Sequence, residues 1–328
     1  MKAMLLAAGL GTRLRPLTYE LPKPMVPILG RPVMAHIMRL LARHGFDDVV
    51  ANLHYFPDLI RDHFGDGSRQ GIKLVYEYEP ELLGTAGGVR NVRDHFEGQT
   101  FLVISGDALT DIDLTAFYKR HKEAGGVATL ALKQVDDPSQ LGVVIADDEG
   151  RIQGFQEKPA PGEELSKLGN CGIYMFEPEI FDYFPDREFV DWAQDVFPAL
   201  LEQDVPFYGH EIAEYWNDVG SFEEYRQGNF DALEGKVQVE VSSAANVSKV
   251  PGDAEVEGSV FIGEGCTIAS GVRLTGPVVI GERSTIGENS ALRDTIVWPG
   301  TQVDPGTVLI GAVAGERPLA EKLGGNYS

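Results

Sequence analysis

The 328-residue chain predicts an α/β fold: a mixed, mostly parallel sheet domain over residues 1–235, then a parallel β-helix over residues 236–328. Three observations carry this. Short apolar runs alternate with amphipathic stretches through the first two thirds of the chain, the order in which βαβ units are written. From about residue 237 aliphatic residues recur every six positions, as in a solenoid whose coils cannot bury a face alone. The length agrees, since about 150 residues per domain gives roughly two domains.

Residues 4–8, 49–53, 72–78 and 101–104 read as strands. The first and last are near-continuous apolar runs, suited to a sheet covered on both faces. A helix opens at Pro32, carries Val33, Ile37, Leu40 and Leu41 as its stripe, and closes at Gly45. Residues 113–124 form another, with Asp113 placed as its N-cap. Residues 142–146, 151–156 and 172–176 read as later strands of a mixed sheet, and 221–233 as a closing helix.

The tail then changes grammar. Val250, Val256, Ile262, Ile268, Leu274, Ile280, Ile286 and Leu292 fill successive slots at a period of six. With aliphatics at roughly one position in four, chance delivers such a run about once in tens of thousands of trials. After a five-residue step the period resumes at Val297, Val303 and Leu309, and Gly263, Gly281 and Gly287 stand beside the slot. A sandwich of period-2 strands does not hold one phase over so many steps. Residues 314–328, rich in Gly and charge, read as a capping segment or a loose tail.

Composition excludes several classes. Hydrophobic residues make up 43% and charged residues 24%, ordinary for a folded chain. The net charge of −22 argues against nucleic acid and against anionic membrane surfaces, both of which need a basic footprint. Cys171 and Cys266 offer no disulfide framework. No apolar run approaches the roughly 20 residues that span a bilayer. The opening residues 1–8 faintly imitate a signal peptide but break at Gly9, Gly11, Arg13 and Arg15. A cytoplasmic protein is the expectation.

The first strand runs into Gly9-Leu10-Gly11-Thr12-Arg13-Leu14-Arg15-Pro16. A Gly-rich turn there can bring backbone N–H groups against phosphate. It is not the dinucleotide fingerprint, because Leu14 stands where the third Gly belongs, and the chain has no Gly-x4-Gly-Lys-Ser/Thr loop. Charge adds weight. Residues 1–31 hold five basic residues (Lys2, Arg13, Arg15, Lys23, Arg31) and one acidic residue, Glu20. A positive island in an acidic chain attracts a small polyanion; a solvated turn with accidental charge is the plain alternative. Lys23, stiffened between Pro22 and Pro24, is a compact charge suited to a phosphate.

Leu6-Ala7-Ala8-Gly9-Leu10-Gly11-Thr12-Arg13-Leu14, followed by Leu21-Pro22-Lys23-Pro24-Met25, resembles the signature of the sugar-1-phosphate nucleotidylyltransferases. The likeness continues in order through Gly84-Thr85-Ala86-Gly87, Ser105-Gly106-Asp107, Gln156-Glu157-Lys158-Pro159, Asn170-Cys171-Gly172 and Trp216-Asn217-Asp218-Val219-Gly220. It implies a Rossmann-like sheet followed by a left-handed β-helix. It also implies an enzyme joining a nucleoside triphosphate to a sugar 1-phosphate with release of pyrophosphate. Two polyanions must then meet; the nucleophile is already an anionic phosphate oxygen, so cation density and in-line positioning are what catalysis needs.

The resemblance makes Asp107 and Asp218 the ligands of a Mg²⁺ cofactor, which is commonly held by one or two carboxylates plus substrate phosphates. Asp107 follows a strand, where open α/β sheets place ligands. Asp111 and Asp113 compete nearby, and loop aspartates are otherwise turn-formers or solvated charges. By the same likeness Leu6, Ala8, Gly9, Gly11 and Thr12 cradle the nucleotide. Lys23 reaches its α-phosphate and Arg13 its β- and γ-phosphates. Lys158 holds the sugar phosphate, Glu157 accepts from sugar hydroxyls, and Gly142 and Asn170 contact the sugar; an exposed edge pair is the alternative for Glu157-Lys158. Gly84 and Thr85 resemble the base-reading loop.

Five residues earlier stands Glu79, where relatives using uridine or thymidine nucleotides tend to have Gln. A carboxylate there accepts the two adjacent donors of guanine and repels the uracil carbonyls, which points to GTP and, by resemblance, mannose 1-phosphate. With Glu77 and Glu81 beside it, Glu79 also reads as plain surface charge. All seven histidines precede the tail, so an acyl-transfer activity resting on a histidine base is excluded there; a homo-oligomer through the β-helix is expected instead. Uridylyl or thymidylyl transfer to glucose 1-phosphate, a non-catalytic nucleotide-sugar-sensing regulatory subunit, and a bare scaffold with a nucleotide-sensing head are the alternatives.

Overall fold

The computed structural model describes residues 1–139, 141–160, 162–241 and 250–315. Past residue 315, the tail expected from 314 onward lies outside the described residues. By packing the chain forms two units. The first comprises Met1–Gly11, Glu20–Pro24 and Ile37–Asp218; the second comprises Thr12–Tyr19, Met25–His36 and the chain from Val219 on.

The first unit is built on a nine-stranded sheet. Its strands are β1 (Lys2–Leu6), β2 (Asp48–Leu53), β3 (Lys73–Tyr78), β4 (Phe101–Ser105), β5 (Ala128–Gln134), β6 (Gly142–Ala146), β7 (Ile152–Glu157), β8 (Leu168–Phe176) and β9 (Tyr208–Glu211). They lie in the order β7-β6-β8-β4-β1-β2-β3, with β5 joining β8 and β9. β3, β2, β1 and β4 run parallel, while β8 is antiparallel to β4, β5 and β6. Across the two units the helices are α1 (Val33–Arg43), α2 (Pro57–Phe64), α3 (Gly84–Asn91), α4 (Leu114–Ala124), α5 (Phe197–Glu202) and, in the second unit, α6 (Phe222–Leu233).

The apolar runs explain the burial: Ala3, Met4 and Leu5 of β1 and Phe101–Ile104 of β4 are fully enclosed. Phe101, Phe176, Trp192 and Phe197 anchor the core below. β1 stops two residues short of the expected strand because Ala7 N–H donates to the Asn52 side chain at 2.8 Å instead of continuing the ladder. α1 begins at Val33, one residue late, because Pro32 pairs in a small hairpin, Pro27–Ile28 with Arg31–Pro32. Asp113 caps α4 as expected, accepting from Ala116 N–H at 2.9 Å; Ser221, expected inside the closing helix, lies just before it as its cap and accepts from Glu224 N–H at 3.2 Å. β5, β9, α2 and α3 do not stand out in the sequence.

In the second unit every strand pairing among the described residues of the hexapeptide region is parallel. Val256 lies opposite Leu274, and Leu274 opposite Leu292, so three hexads close one coil. Ile262, Ile268, Leu274, Ile280, Ile286, Leu292, Val297 and Val303 share one core. The five-residue step is absorbed without loss of register, because Val297 still pairs with Ile280 and Leu309 with Leu292. Asn229 of α6, fully buried, accepts from Leu29 N–H at 3.1 Å and pins the small hairpin. Among the described residues no helix is long and apolar enough to cross a membrane.

Candidate active site

From β1 the chain steps outward through β2 to β3 and then returns to the far side of β1 for β4. Ligands of open α/β sheets bind outside the strand carboxyl ends at such a reversal. Leu6 and Ser105 are register partners there, and beside them opens a cleft of about 320 Å³. Leu6, Ala8, Gly9, Lys23, Glu79, Gly84, Thr85 and Asp107 line it, brought together from four separate stretches of sequence.

A Cβ on Gly9 would meet nothing within 4 Å. Packing therefore does not demand glycine at this position, and the main chain there is open to close approach from the cleft. Behind the loop runs a buried polar relay. Asn52 accepts from Ala7 N–H and donates to Glu79 Oε1 at 2.8 Å, while Leu83 N–H donates to Glu79 Oε2 at 3.2 Å. Glu79 is 1% exposed, so it is no solvated surface charge.

The loop after Glu79 is clamped. Gly84 has φ +82°, and a Cβ there would lie 2.4 Å from Val190 O. Ala86 and Gly87 N–H both donate to that carbonyl. The Thr85 hydroxyl donates to Asp191 Oδ2 at 2.7 Å and accepts from Trp192 N–H at 3.1 Å.

Lys23 joins the two selected aspartates. Its Nζ lies 2.5 Å from Asp107 Oδ2 and donates to Asp218 O at 3.0 Å. A two-stranded antiparallel pair explains the meeting: Leu109 lies opposite Asn217 and Thr110 opposite Trp216, so the flanking residues 107 and 218 fall at one end. The competitors have other work, since Asp111 Oδ1 accepts from Tyr215 N–H at 3.0 Å and Asp113 caps α4. Immediately after Asp218, Val219 adopts φ 42°; a β-branched residue there is strained, a condition that collects at functional sites.

The remaining candidates lie apart from the cleft lining. Gly142 and Glu157 are register partners on β6 and β7; the Glu157 side chain is outside the described residues. Lys158, with φ 46°, donates its N–H to Leu141 O. Asn170 donates to Tyr174 OH at 2.9 Å and accepts from Gly172 N–H. Burial pushes the neighbouring Cys171 thiol well up, which disfavours the thiolate form. Gly11 closes the first unit's opening segment, and Thr12 and Arg13 belong to a 3₁₀ turn of the second unit.

Asn52, Ser105, Phe189 and Asp191 also line the cleft and were not selected from the sequence. Asn52 leaves a trace there, a polar residue inside the apolar run 49–53; Phe189 and Asp191 leave none, because a long connection carries them back. For a metal ion the donor set is hard oxygen. Among the described residues no three His, Cys, Asp or Glu side chains cluster as an all-protein cage. Asp107 lines the cleft and Asp218 gives its main-chain carbonyl to the same Lys23; the carboxylate oxygens of these two residues are the donors that would hold Mg²⁺, which takes its other ligands from phosphate and water.

Comparison with known proteins points the same way. Residues 2–235 match the family described as Nucleotidyl transferase, and residues 259–294 the bacterial transferase hexapeptide (six repeats). A UTP–glucose-1-phosphate uridylyltransferase of Synechocystis sp. is 38% identical over 99% of this chain and 89% of its own. A mannose-1-phosphate guanylyltransferase of Mycobacterium tuberculosis is 36% identical over 83% of this chain and 77% of its own. The solved structure of HddC from Yersinia pseudotuberculosis complexed with GMP-PN is 26% identical, with TM-score 0.59, over 70% of this chain and 97% of that one.

Proposed function

The chain belongs to the sugar-1-phosphate nucleotidylyltransferase family, and we propose that within it the substrates are GTP and mannose 1-phosphate. The phosphate oxygen of the sugar attacks the α-phosphorus in line, a P–O bond forms, and the bond to pyrophosphate breaks. No general base is required, because the attacking oxygen is already anionic. Lys23 draws the α-phosphate, Arg13 the β- and γ-phosphates, and Lys158 the sugar phosphate; each cation lowers the repulsion between the two anions. The turn from Leu6 through Thr12 gives its N–H groups to the nucleotide, and Gly142, Glu157 and Asn170 orient the sugar. Asp107 and Asp218 would hold a Mg²⁺ ion, which would supply further neutralisation of phosphate charge. We assign this chemistry to residues 1–235 and self-association to the hexapeptide region, 236–328.

The observation that carries the base assignment is the buried carboxylate of Glu79 on the cleft wall. Each of its oxygens takes one protein donor and keeps a second acceptor direction. Guanine offers N1–H and its 2-amino group to such an edge, whereas uracil and thymine would turn carbonyls toward an anion. The guanylyltransferase relative and the guanine-nucleotide complex of the structural neighbour support this reading. Uridylyl transfer to glucose 1-phosphate is the second reading, favoured by the Synechocystis relative that spans nearly the whole chain.

Pyrophosphate release, measured for GTP, UTP, dTTP, CTP and ATP with several sugar 1-phosphates and Mg²⁺, tests both. GTP with mannose 1-phosphate is expected to give the highest kcat/KM. A tenfold preference for UTP or dTTP overturns the base assignment, and no activity with any pair leaves a nucleotide-sugar-sensing subunit.

A further inference from the structure

Lys133 stands at the end of β5, where β9 leaves its partner strand. Ile212 N–H donates to Leu132 O at 2.8 Å, the final bond of that ladder. The Lys133 ammonium then donates to Glu214 O at 2.7 Å, Ala213 O at 2.9 Å and Ile212 O at 3.3 Å. Three donors are spent on three successive main-chain carbonyls, and among the described residues this ammonium makes no ion pair. Hydrogen bonds from a charged donor are the strong kind, so the path of residues 212–214 is set by one side chain.

That strip leads directly into the site. Tyr215 is held on both sides, its N–H by Asp111 Oδ1 at 3.0 Å and its carbonyl by the Thr110 hydroxyl at 2.7 Å. Trp216 and Asn217 pair with Thr110 and Leu109. Trp216 Nε1 donates to Cys171 O at 2.9 Å, and Asp218 O accepts from Lys23. We propose that Lys133 is a positioning residue for the nucleotidyl transfer. It sets where the strand Trp216–Asn217 begins and thereby fixes the place of Asp218, which follows that strand and whose carbonyl accepts from Lys23. This rests on the reading of Asp218 as a metal ligand. Lys133 acts through the main chain, not on the reacting atoms.

The test compares Lys133→Met, Lys133→Gln, Lys133→Arg and Asp218→Asn in the full chain. The readouts are Mn²⁺ binding with nucleotide present, followed by electron paramagnetic resonance, the Mg²⁺ concentration for half-maximal velocity, and Tm. Outer partners of metal ligands typically control affinity by about tenfold or more. Lys133→Met is expected to weaken Mn²⁺ binding and to raise the Mg²⁺ requirement by about that factor, with KM for the nucleotide within about twofold. Lys133→Arg, which keeps charge and donors, restores most of the loss. Lys133→Gln, keeping donors without charge, stands in if the Met variant does not fold. A lowered Tm with unchanged metal binding overturns the proposal. Asp218→Asn separates the premises: if it leaves Mn²⁺ binding intact, the metal reading fails. If it weakens binding while the Lys133 variants do not, only the role of Lys133 fails.

Discussion

Replacing Glu79 by Gln removes a charge at nearly constant shape, so it isolates the electrostatic part of base choice. The GTP-over-UTP ratio in kcat/KM is expected to fall by roughly 10- to 100-fold, the scale of one base-edge hydrogen-bond pair, and parallel kinetics on the two nucleotides read it directly. The variant also turns an amide donor toward Asn52 or Leu83 N–H, at a cost of about 1–3 kcal/mol, visible as a lower Tm. An unchanged ratio removes Glu79 from base selection. Asp107→Asn belongs beside it. Turnover is expected to drop at least about a hundredfold, while a partly exposed pair with Lys23 is worth only about 1 kcal/mol of stability. A large stability loss with normal turnover reassigns Asp107 to structure. Flanked by Glu77 and Glu81, Glu79 reads as surface charge as readily as a base contact; its burial and its bond from Asn52, 27 positions away, come from the fold and not from any local pattern.

At the scale of elements, identical slots carry different weight. Ile280 is fully buried, with register partners Ile262 and Val297 on both sides. Val256 fills the same hexad slot yet is 40% exposed, with a partner on one side among the described residues. A solenoid slot gains most of its burial from the coils above and below. Ile280→Ala should therefore cost about 2–5 kcal/mol and Val256→Ala about 0.5 kcal/mol or less, a difference that denaturant midpoints resolve. α1 supplies a second prediction. Burial of His36 drives its pKa down to about 4, against a hydrogen bond with Ile28 O that favours the proton. The unfolded chain thus binds this proton more readily. Stability is full above about pH 6.5 and falls as the pH drops toward 4, by up to about 3 kcal/mol. Urea unfolding against pH should show that slope, and His36→Gln should flatten it. The hexad phase and the strand–helix alternation are legible because each is written in neighbouring residues; β5 and β9 are not, because their burial comes from partners far along the chain.

For the molecule as a whole, the change of grammar near residue 235 does not mark where packing divides. α6 and the hairpin of residues 27–32 belong to the unit that contains the hexapeptide coils. Tyr225, 1% exposed, packs against Trp298 with ring centroids 5.9 Å apart, and Gly30 faces Phe261. The sequence alone suggests that removing residues 236–328 alters assembly more than chemistry. The packing adds that the shortened chain loses the cover of α6 and is expected to show a Tm lower by several degrees or to aggregate. A shortened chain with unchanged Tm contradicts this; unchanged subunit number argues against association through the coils. Local order along the chain is enough to specify the two architectures, the helix caps and the motif order, because periodicity, capping and turn chemistry act over a few residues. It does not specify that Lys23 bridges Asp107 and Asp218, that Glu79 is buried, or that three backbone carbonyls converge on Lys133. Those arrangements join residues dozens to nearly two hundred positions apart, and only the folded sheet brings such distances down to a hydrogen bond.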